Sequence, residues 1–207
     1  DPETISLPPS SVTVPIAAEK PPASLGRLDA VLWLMVLVLA FLLGSFAATN
    51  SDAWMNLSSG RLIAHGALTV GVDPFSVATE ATAGRPAVPW IHQSWLFSWL
   101  FYHLYQLVGG AGLVVIKALL VVGLAVCLLQ IPGGARSRWL SVIFVGLAML
   151  ALSPRLILQP MVISFLFFGI MLLICYKAGV LGDAPARPRT LWLLPPLFLV
   201  WAHLDAW

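Results

Sequence analysis

Long apolar runs alternate with short polar segments along most of this chain of 207 residues. The hydrocarbon core of a bilayer is roughly 30 Å thick and requires about 20 apolar residues in a helix. Runs near that length predict spans at residues 28–48, 112–131, 139–153, 160–178 and 190–204. The pattern therefore predicts an all-α integral membrane protein with about five transmembrane helices.

A polar and aromatic segment, residues 49–110, separates the first predicted span from the second. Within it, residues 90–107 have the length of a span but combine tryptophans and tyrosines with histidine and glutamine. Aromatic residues concentrate at headgroup level, and an apolar face with a polar stripe suits a helix lying in the interface. We expect residues 49–110 to form an external loop of interfacial amphipathic helices.

Local signals predict one further short helix in this loop. Asn50 or Ser51 is suited to cap it. Asp52 would lie in its first turn, where the positive end of the helix dipole stabilises a carboxylate. Gly66 is placed to end this helix in the left-handed conformation. The glycines from Gly109 onward resemble a phosphate-binding loop but lack its spacing and a preceding strand, so we interpret them as a helix break.

The basic residues indicate how the chain is oriented, because they favour the cytoplasmic side. If residues 90–107 lie flat, three arginines face outward, and seven basic residues face the cytoplasm: Lys20, Arg27, Arg136, Arg138, Lys177, Arg187 and Arg189. If residues 90–107 span the bilayer, this tally is inverted. The flat arrangement is therefore predicted, with a cytoplasmic amino terminus.

Composition excludes several protein classes. Hydrophobic residues make up 59% of the chain and charged residues 10%, where soluble domains have about 25% charged residues. A net charge of +2 gives no reason to expect nucleic acid as a partner, whereas membrane lipids are expected. The proline-rich residues 1–26 predict a disordered cytoplasmic tail, and 27–207 the transmembrane domain. Because the chain stops at Trp207 within an apolar run, we interpret it as a fragment.

Under this topology, ionisable residues converge on the outer face. A carboxylate facing cations near the headgroups suits a polyprenyl-phosphate sugar donor, since the cations hold the phosphate and the carboxylate takes a proton from an acceptor hydroxyl. Asp52 is the candidate catalytic residue. The candidate substrate-binding residues are Arg155, Lys117, Gln159, Arg61, His92, Gln93 and His203.

Each candidate also has a purely structural interpretation. Asp52 suits a helix start without catalysis, Lys117 a lysine that extends to the headgroups, and Arg155 a headgroup anchor. His92 and His203 suit interfacial hydrogen bonding better than metal binding, because no spacing of Asp and His forms a helical ligand pair. No specific metal-ligand set is predicted, and whether a divalent metal is required stays open.

Short motifs across residues 28–207 carry a resemblance. They are Asp52-Ala53-Trp54, Gly60-Arg61-Leu62-Ile63, Gly66, Asp73-Pro74-Phe75-Ser76, Gln93-Ser94-Trp95-Leu96, Tyr102, Gly109-Gly110, Arg155, Gln159-Pro160 and Trp201-Ala202-His203-Leu204. This pattern resembles the amino-terminal third of GT-C superfamily membrane glycosyltransferases, relatives of the dolichyl-phosphate-mannose protein mannosyltransferases that include uncharacterised bacterial members. The resemblance implies helices lying on the membrane after the first span, lipid-phosphate-linked sugars and a bacterial inner membrane location.

The resemblance also implies a catalytic acid just after the first span, a position held here by Asp52. Two departures stand against it. Family members have more spans, and their donor site draws on later ones. The second acid that many members place in a later external loop has no clear counterpart, since Asp205 lies at the very end of the chain.

Three functions follow as hypotheses. The first is a membrane glycosyltransferase that moves a sugar from a polyprenyl-phosphate carrier to an extracytoplasmic acceptor. The second is a non-catalytic membrane anchor or assembly subunit that holds a protein partner or a downstream repeat domain. The third is a lipid-carrier transporter, which would place ionisable residues at the membrane midplane in more than one span. Only Lys117 approaches that pattern.

Overall fold

The computed structural model describes residues 27–47, 50–68, 75, 94–131, 138–181 and 188–205. Every regular element in these ranges is helical, which confirms the predicted all-α class. The helices are α1 (Arg27–Gly44), α2 (Ser51–Ala64), α3 (Trp95–Leu129), α4 (Arg138–Leu152), α5 (Pro160–Lys177) and α6 (Leu194–Leu204). Short 3-10 turns at Ser153–Arg155 and Pro188–Leu193 precede α5 and α6.

The second half of α3 packs between α1 and α5. A Cβ placed on Gly44, at the end of α1, would lie 2.7 Å from the Cα of Ala118. Further along α3, Gly123 faces Leu166 and Leu124 faces Gly169. Because the residue numbers of the two helices increase together from one contact to the next, α5 runs parallel to this half of α3.

Helices α4 and α6 both run in the direction opposite to α5. Phe167 stacks on Trp201 with ring centroids 6.0 Å apart, and Ser164 bonds Asp205, so α6 runs antiparallel to α5. Helix α4 packs on α1 and leads directly into the turn before α5. The carboxyl ends of α1, α4 and α6 therefore lie at the end of the bundle where α5 begins.

Helix α3 contains a sharp reversal at Gly109, which has φ 68° and ψ −176°. In a straight helix, Phe101 and Leu113 would be about 18 Å apart along the axis. Instead they lie in one buried cluster and line one cavity of about 50 Å³. The first half of α3 thus folds back on the second, which confirms the predicted helix break.

The prediction of about five spans is not supported. By length and composition, two helices in the described part of the chain can cross a membrane, Trp95–Leu129 and Pro160–Lys177. Helices α4 and α6, with 15 and 11 residues, are only about 22 and 16 Å long. Helix α6 starts late because Pro195 and Pro196 lack the N–H groups that an interior turn needs, so they occupy its first turn.

The surface supports a membrane location. Large apolar side chains on α1 and α4 are exposed, among them Leu34, Met35, Phe144 and Leu147. Contiguous exposed apolar surface is unusual on soluble monomers. On a membrane protein, such faces meet lipid.

The short helix predicted after the first run is confirmed as α2. It begins at Ser51, carries Asp52 in its first turn and is followed by Gly66 with φ 66°. Asn50 occupies the N-cap position, yet its side chain makes no capping hydrogen bond. The predicted tail, residues 1–26, lies outside the described residues.

Candidate functional site

The first turn of α2 is held against the turn before α5. Asn50 Nδ2 donates a hydrogen bond of 3.2 Å to the carbonyl oxygen of Leu158. Asp52 follows Asn50 by two residues and Arg155 precedes Leu158 by three, so both lie within roughly 10–15 Å of that bond. Asp52 and Arg155, both exposed, therefore share one end of the bundle, which we call the Asp52 end.

Close packing on α3 fixes the orientation of α2. Ser98 Oγ donates to Asn56 Oδ1 at 2.8 Å, and Asn56 Nδ2 donates to the Asp52 carbonyl oxygen at 2.8 Å. A Cβ on Gly60 would lie 2.0 Å from the Ser98 carbonyl oxygen, so only glycine permits this approach. Because Asn56, Gly60 and Ser98 are buried, the first turn with Asp52 is anchored.

The same packing separates Arg61 from Asp52. Nine residues of α-helix correspond to about 180° of rotation and about 13 Å of rise. Both side chains are exposed, but they project from opposite sides of the buried face of α2. The structure thus brings Arg155 to the end of the bundle where Asp52 lies. Arg61 instead lines a pocket between α2 and α3.

Lys117 is buried, with 2% of its surface exposed, and Nζ donates a 2.7 Å hydrogen bond to the Phe46 carbonyl oxygen. Phe46 follows the end of α1, where helices leave carbonyls unsatisfied and favour a cation. Lys117 therefore joins α3 to the end of α1. An ammonium has two further donors, and Lys117 also lines the 50 Å³ cavity with Gln159, another candidate.

A hydrogen-bonded group that sequence reasoning did not identify lies between α5 and α6. Trp201 Nε1 donates to Ser164 Oγ at 2.8 Å, and Ser164 Oγ donates to Asp205 Oδ2. All three residues line an apolar groove of about 1050 Å³ with Phe165 and Phe168. The groove places a carboxylate at the Asp52 end and aromatic side chains further into the bundle.

The remaining candidates have different outcomes. The His203 ring contacts Trp95 edge to face with centroids 6.0 Å apart, and its Nδ1 lies 2.8 Å from the Leu199 carbonyl oxygen. This contact brings α6 to the start of α3, at the Asp52 end. His92 and Gln93 lie outside the described residues. Within the described ranges, no group of three or more His, Cys, Asp or Glu side chains is placed to hold a metal ion.

Protein-family models, curated proteins and solved structures were compared with this chain, and none of them matches it. The resemblance to GT-C glycosyltransferases therefore stays a prediction from the sequence. What the structure adds is placement. It brings Asp52, Arg155, Asp205 and His203 to one end of the bundle, and it joins Lys117 and Gln159 through one small cavity.

The sequence held only weak signals for the residues that it did not identify. Ser164 lies one turn into α5, where a serine in an apolar run reads as an ordinary small residue. Its partner Asp205 is 41 positions away. Asn50 was recognised as a candidate cap, but its bond to Leu158 spans 108 positions. No local pattern reveals contacts over such separations.

Proposed function

We propose that this protein is a membrane glycosyltransferase that transfers a sugar from a polyprenyl-phosphate carrier to a hydroxyl acceptor outside the cytoplasm. The observation that carries the proposal is the bond between Asn50 and Leu158, which puts the Asp52 carboxylate and the Arg155 guanidinium at one end of the bundle. Had these groups been at opposite ends, no shared site for the sugar carrier would exist.

The apolar groove supports this proposal independently. Its volume of about 1050 Å³ lies just above the roughly 300–1,000 Å³ usual for ligand pockets. Its walls are almost entirely apolar, including Phe165, Phe168 and Phe198, and Asp205 marks its polar end. A long isoprenoid chain in this groove would keep its phosphate near the Asp52 end.

The chemistry follows from these positions. Asp52 acts as general base and removes the proton from the acceptor hydroxyl as its oxygen attacks the anomeric carbon. The new glycosidic bond forms while the bond from that carbon to the phosphate oxygen breaks, so the configuration is inverted. Arg155 binds the departing phosphate through paired N–H donors. Lys117 and Gln159, which line the same small cavity, are further hydrogen-bond donors.

The direct test is the Asp52→Asn variant of the full chain in proteoliposomes. The amide keeps the shape of the side chain but cannot accept the proton, so we expect label transfer from polyprenyl-phosphate sugars to fall by about 10²- to 10⁴-fold. The matched control is Asp29→Asn, which changes a carboxylate at the opposite end of α1. Its transfer rate should equal that of the unmodified protein.

Retained transfer in Asp52→Asn would remove the base assignment. One observation favours the anchor hypothesis instead: Lys117, the ionisable residue buried in a candidate span, already holds a structural bond to Phe46. If the folded, unmodified protein transfers no sugar from any polyprenyl-phosphate carrier that is tested, this result would support the anchor hypothesis and contradict the glycosyltransferase proposal.

A further inference from the structure

A second pocket, of about 310 Å³, lies between α2 and the first half of α3. Apart from Leu57 its lining is polar or aromatic, in contrast with the apolar groove. The lining side chains are Ser58, Arg61, His65, Tyr102, Tyr105 and Gln106. We call this the Arg61 pocket. Its volume is at the small end of the roughly 300–1,000 Å³ range of ligand pockets, which suits a single small polar unit.

The charge of this pocket defines the class of ligand. Arg61 is the one guanidinium or ammonium among its lining residues, and none of the acidic side chains that the structure describes lines it. A guanidinium pairs with a carboxylate through two parallel N–H···O bonds. That pair balances one charge, whereas a phosphate monoester would bring about two negative charges to a single cation. A carboxylate therefore fits better than a phosphate monoester.

The other side chains suit a ring that carries hydroxyl groups. Tyr102 and Tyr105 offer flat apolar faces together with phenolic hydroxyls, and Gln106 and Ser58 both donate and accept hydrogen bonds. The His65 ring lies edge to face with Tyr102, with centroids 6.3 Å apart, which fixes one wall of the pocket. Apolar faces combined with several hydrogen-bonding groups match a pyranose ring better than a bare anion.

The Arg61 pocket is separate from the Asp52 carboxylate. Arg61 projects from the opposite side of α2, about 180° around the helix and about 13 Å along it. Between these two sides of α2 lies its buried face, which carries the hydrogen bond from Ser98 to Asn56 and the close contact of Gly60 with Ser98. A ligand in this pocket is therefore held without touching the Asp52 carboxylate.

We infer that the Arg61 pocket is a binding site for an acidic sugar, a pyranose unit whose carboxylate pairs with the Arg61 guanidinium while its ring and hydroxyls contact Tyr102, Tyr105 and Gln106. This site is distinct from the sugar carrier of the proposed transfer. It does not depend on whether that transfer occurs.

The test is binding of glucuronate and glucose to the full chain in nanodiscs of phosphatidylcholine, followed by ligand-observed NMR. The two sugars share a ring and differ in the carboxylate. We expect glucuronate to bind roughly tenfold or more tightly than glucose. Arg61→Gln should abolish this preference. Arg61→Lys should recover only part of it, because a lysine is a point charge without the bidentate geometry.

Two controls make the result specific. Arg189→Gln removes another exposed arginine, which has no part in the proposed carrier site, and should leave glucuronate binding unchanged. Gln106→Trp keeps the Arg61 charge but fills the pocket, so both sugars should lose affinity. The proposal is overturned if glucuronate and glucose bind equally, or if Arg189→Gln weakens binding as much as Arg61→Gln.

Two further arms separate this proposal from its alternatives. Adding phosphatidylglycerol to the nanodiscs should leave glucuronate binding intact, and displacement of glucuronate by this lipid would assign the pocket to a headgroup and overturn the acidic-sugar assignment. Asp52→Asn should also leave glucuronate binding intact. Loss of transfer and loss of sugar binding thus report on different sites.

Discussion

At the scale of single residues, the approach of α2 to α3 depends on a missing side chain. Gly60 is buried, and the backbone of Ser98 occupies the space that any Cβ would need. Beside this contact, Ser59 is fully buried and its hydroxyl has no hydrogen-bond partner in the described structure. The interface therefore relies on close packing, and on Asn56 for its polar bonds.

We expect Gly60→Ala to destabilise the protein by about 1–3 kcal/mol, because the added methyl would overlap the Ser98 carbonyl group and the two helices would have to separate. In this size range, that corresponds to a fall of several degrees in the apparent melting temperature. Thermal unfolding in detergent, with ligand-free protein, measures it.

Gly146→Ala is the matched control, since this glycine also lies within a helix but nothing stands within 4 Å of its added Cβ. Alanine is a better helix former than glycine by about 1 kcal/mol, so this variant should be neutral or slightly stabilised. Equal effects of the two substitutions would contradict the packing argument.

At the scale of elements, the reversal of α3 at Gly109 builds the site. It returns the aromatic first half of α3 to the second half, creates the cavity beside Lys117 and carries Tyr102 to the Arg61 pocket. The φ and ψ angles of Gly109 lie in a region that is essentially restricted to glycine. A local backbone requirement therefore controls the position of two pockets.

Gly109→Ala should cost about 1–3 kcal/mol through backbone strain alone, because nothing lies within 4 Å of the added Cβ. Spin labels at Trp99 and Leu119 report the reversal directly. In a straight helix these positions would be about 30 Å apart, whereas the folded-back arrangement brings them much closer.

We expect Gly109→Ala to lower the apparent melting temperature and to lengthen or broaden the label distance. Gly110→Ala changes the adjacent residue, whose added Cβ would meet only Tyr105, at 4.0 Å. It should preserve both observables. A distance near 30 Å in the unmodified protein would show that α3 is straight and would remove the shared cavity.

At the scale of the whole molecule, polar residues are divided between two ends. Asp52, Arg155 and Asp205 lie at the Asp52 end, and Arg27, where α1 begins, and Lys177, where α5 ends, lie at the other. This arrangement agrees with basic residues on the cytoplasmic side. Two helices that are long and apolar enough to cross a bilayer lie between these ends. Exposed apolar side chains cover α1 and α4 between the same ends.

The sidedness can be tested by labelling single cysteines with a membrane-impermeant maleimide. In a background where Cys127 and Cys175 are replaced by alanine, cysteines at Asp52 and Arg155 should react from the outside of intact cells, since both positions are exposed. A cysteine at Lys177 should react only after the membrane is permeabilised. Labelling of Asp52 and Arg155 from opposite sides would exclude the shared carrier site.

Much of the element pattern could be predicted from the chain itself. The start of α2 at Ser51, its end before Gly66 and the break at Gly109 all follow from local chemistry, namely a polar cap position and glycines that accept positive φ. The prediction of about five spans is not supported, because long apolar runs were equated with long helices. Proline positions and helix ends within those runs shortened α4 and α6.

The sequence alone determined the helical class and the apolar character of the chain, because composition and local spacing are properties of neighbouring residues. The catalytic role of Asp52 stays a prediction. Only the tertiary structure decided that Asn50 meets Leu158, that Asp205 meets Ser164 and that Arg61 faces away from Asp52. The physical reason is that such pairings depend on how complete helices pack, and helix packing joins residues far apart in the chain.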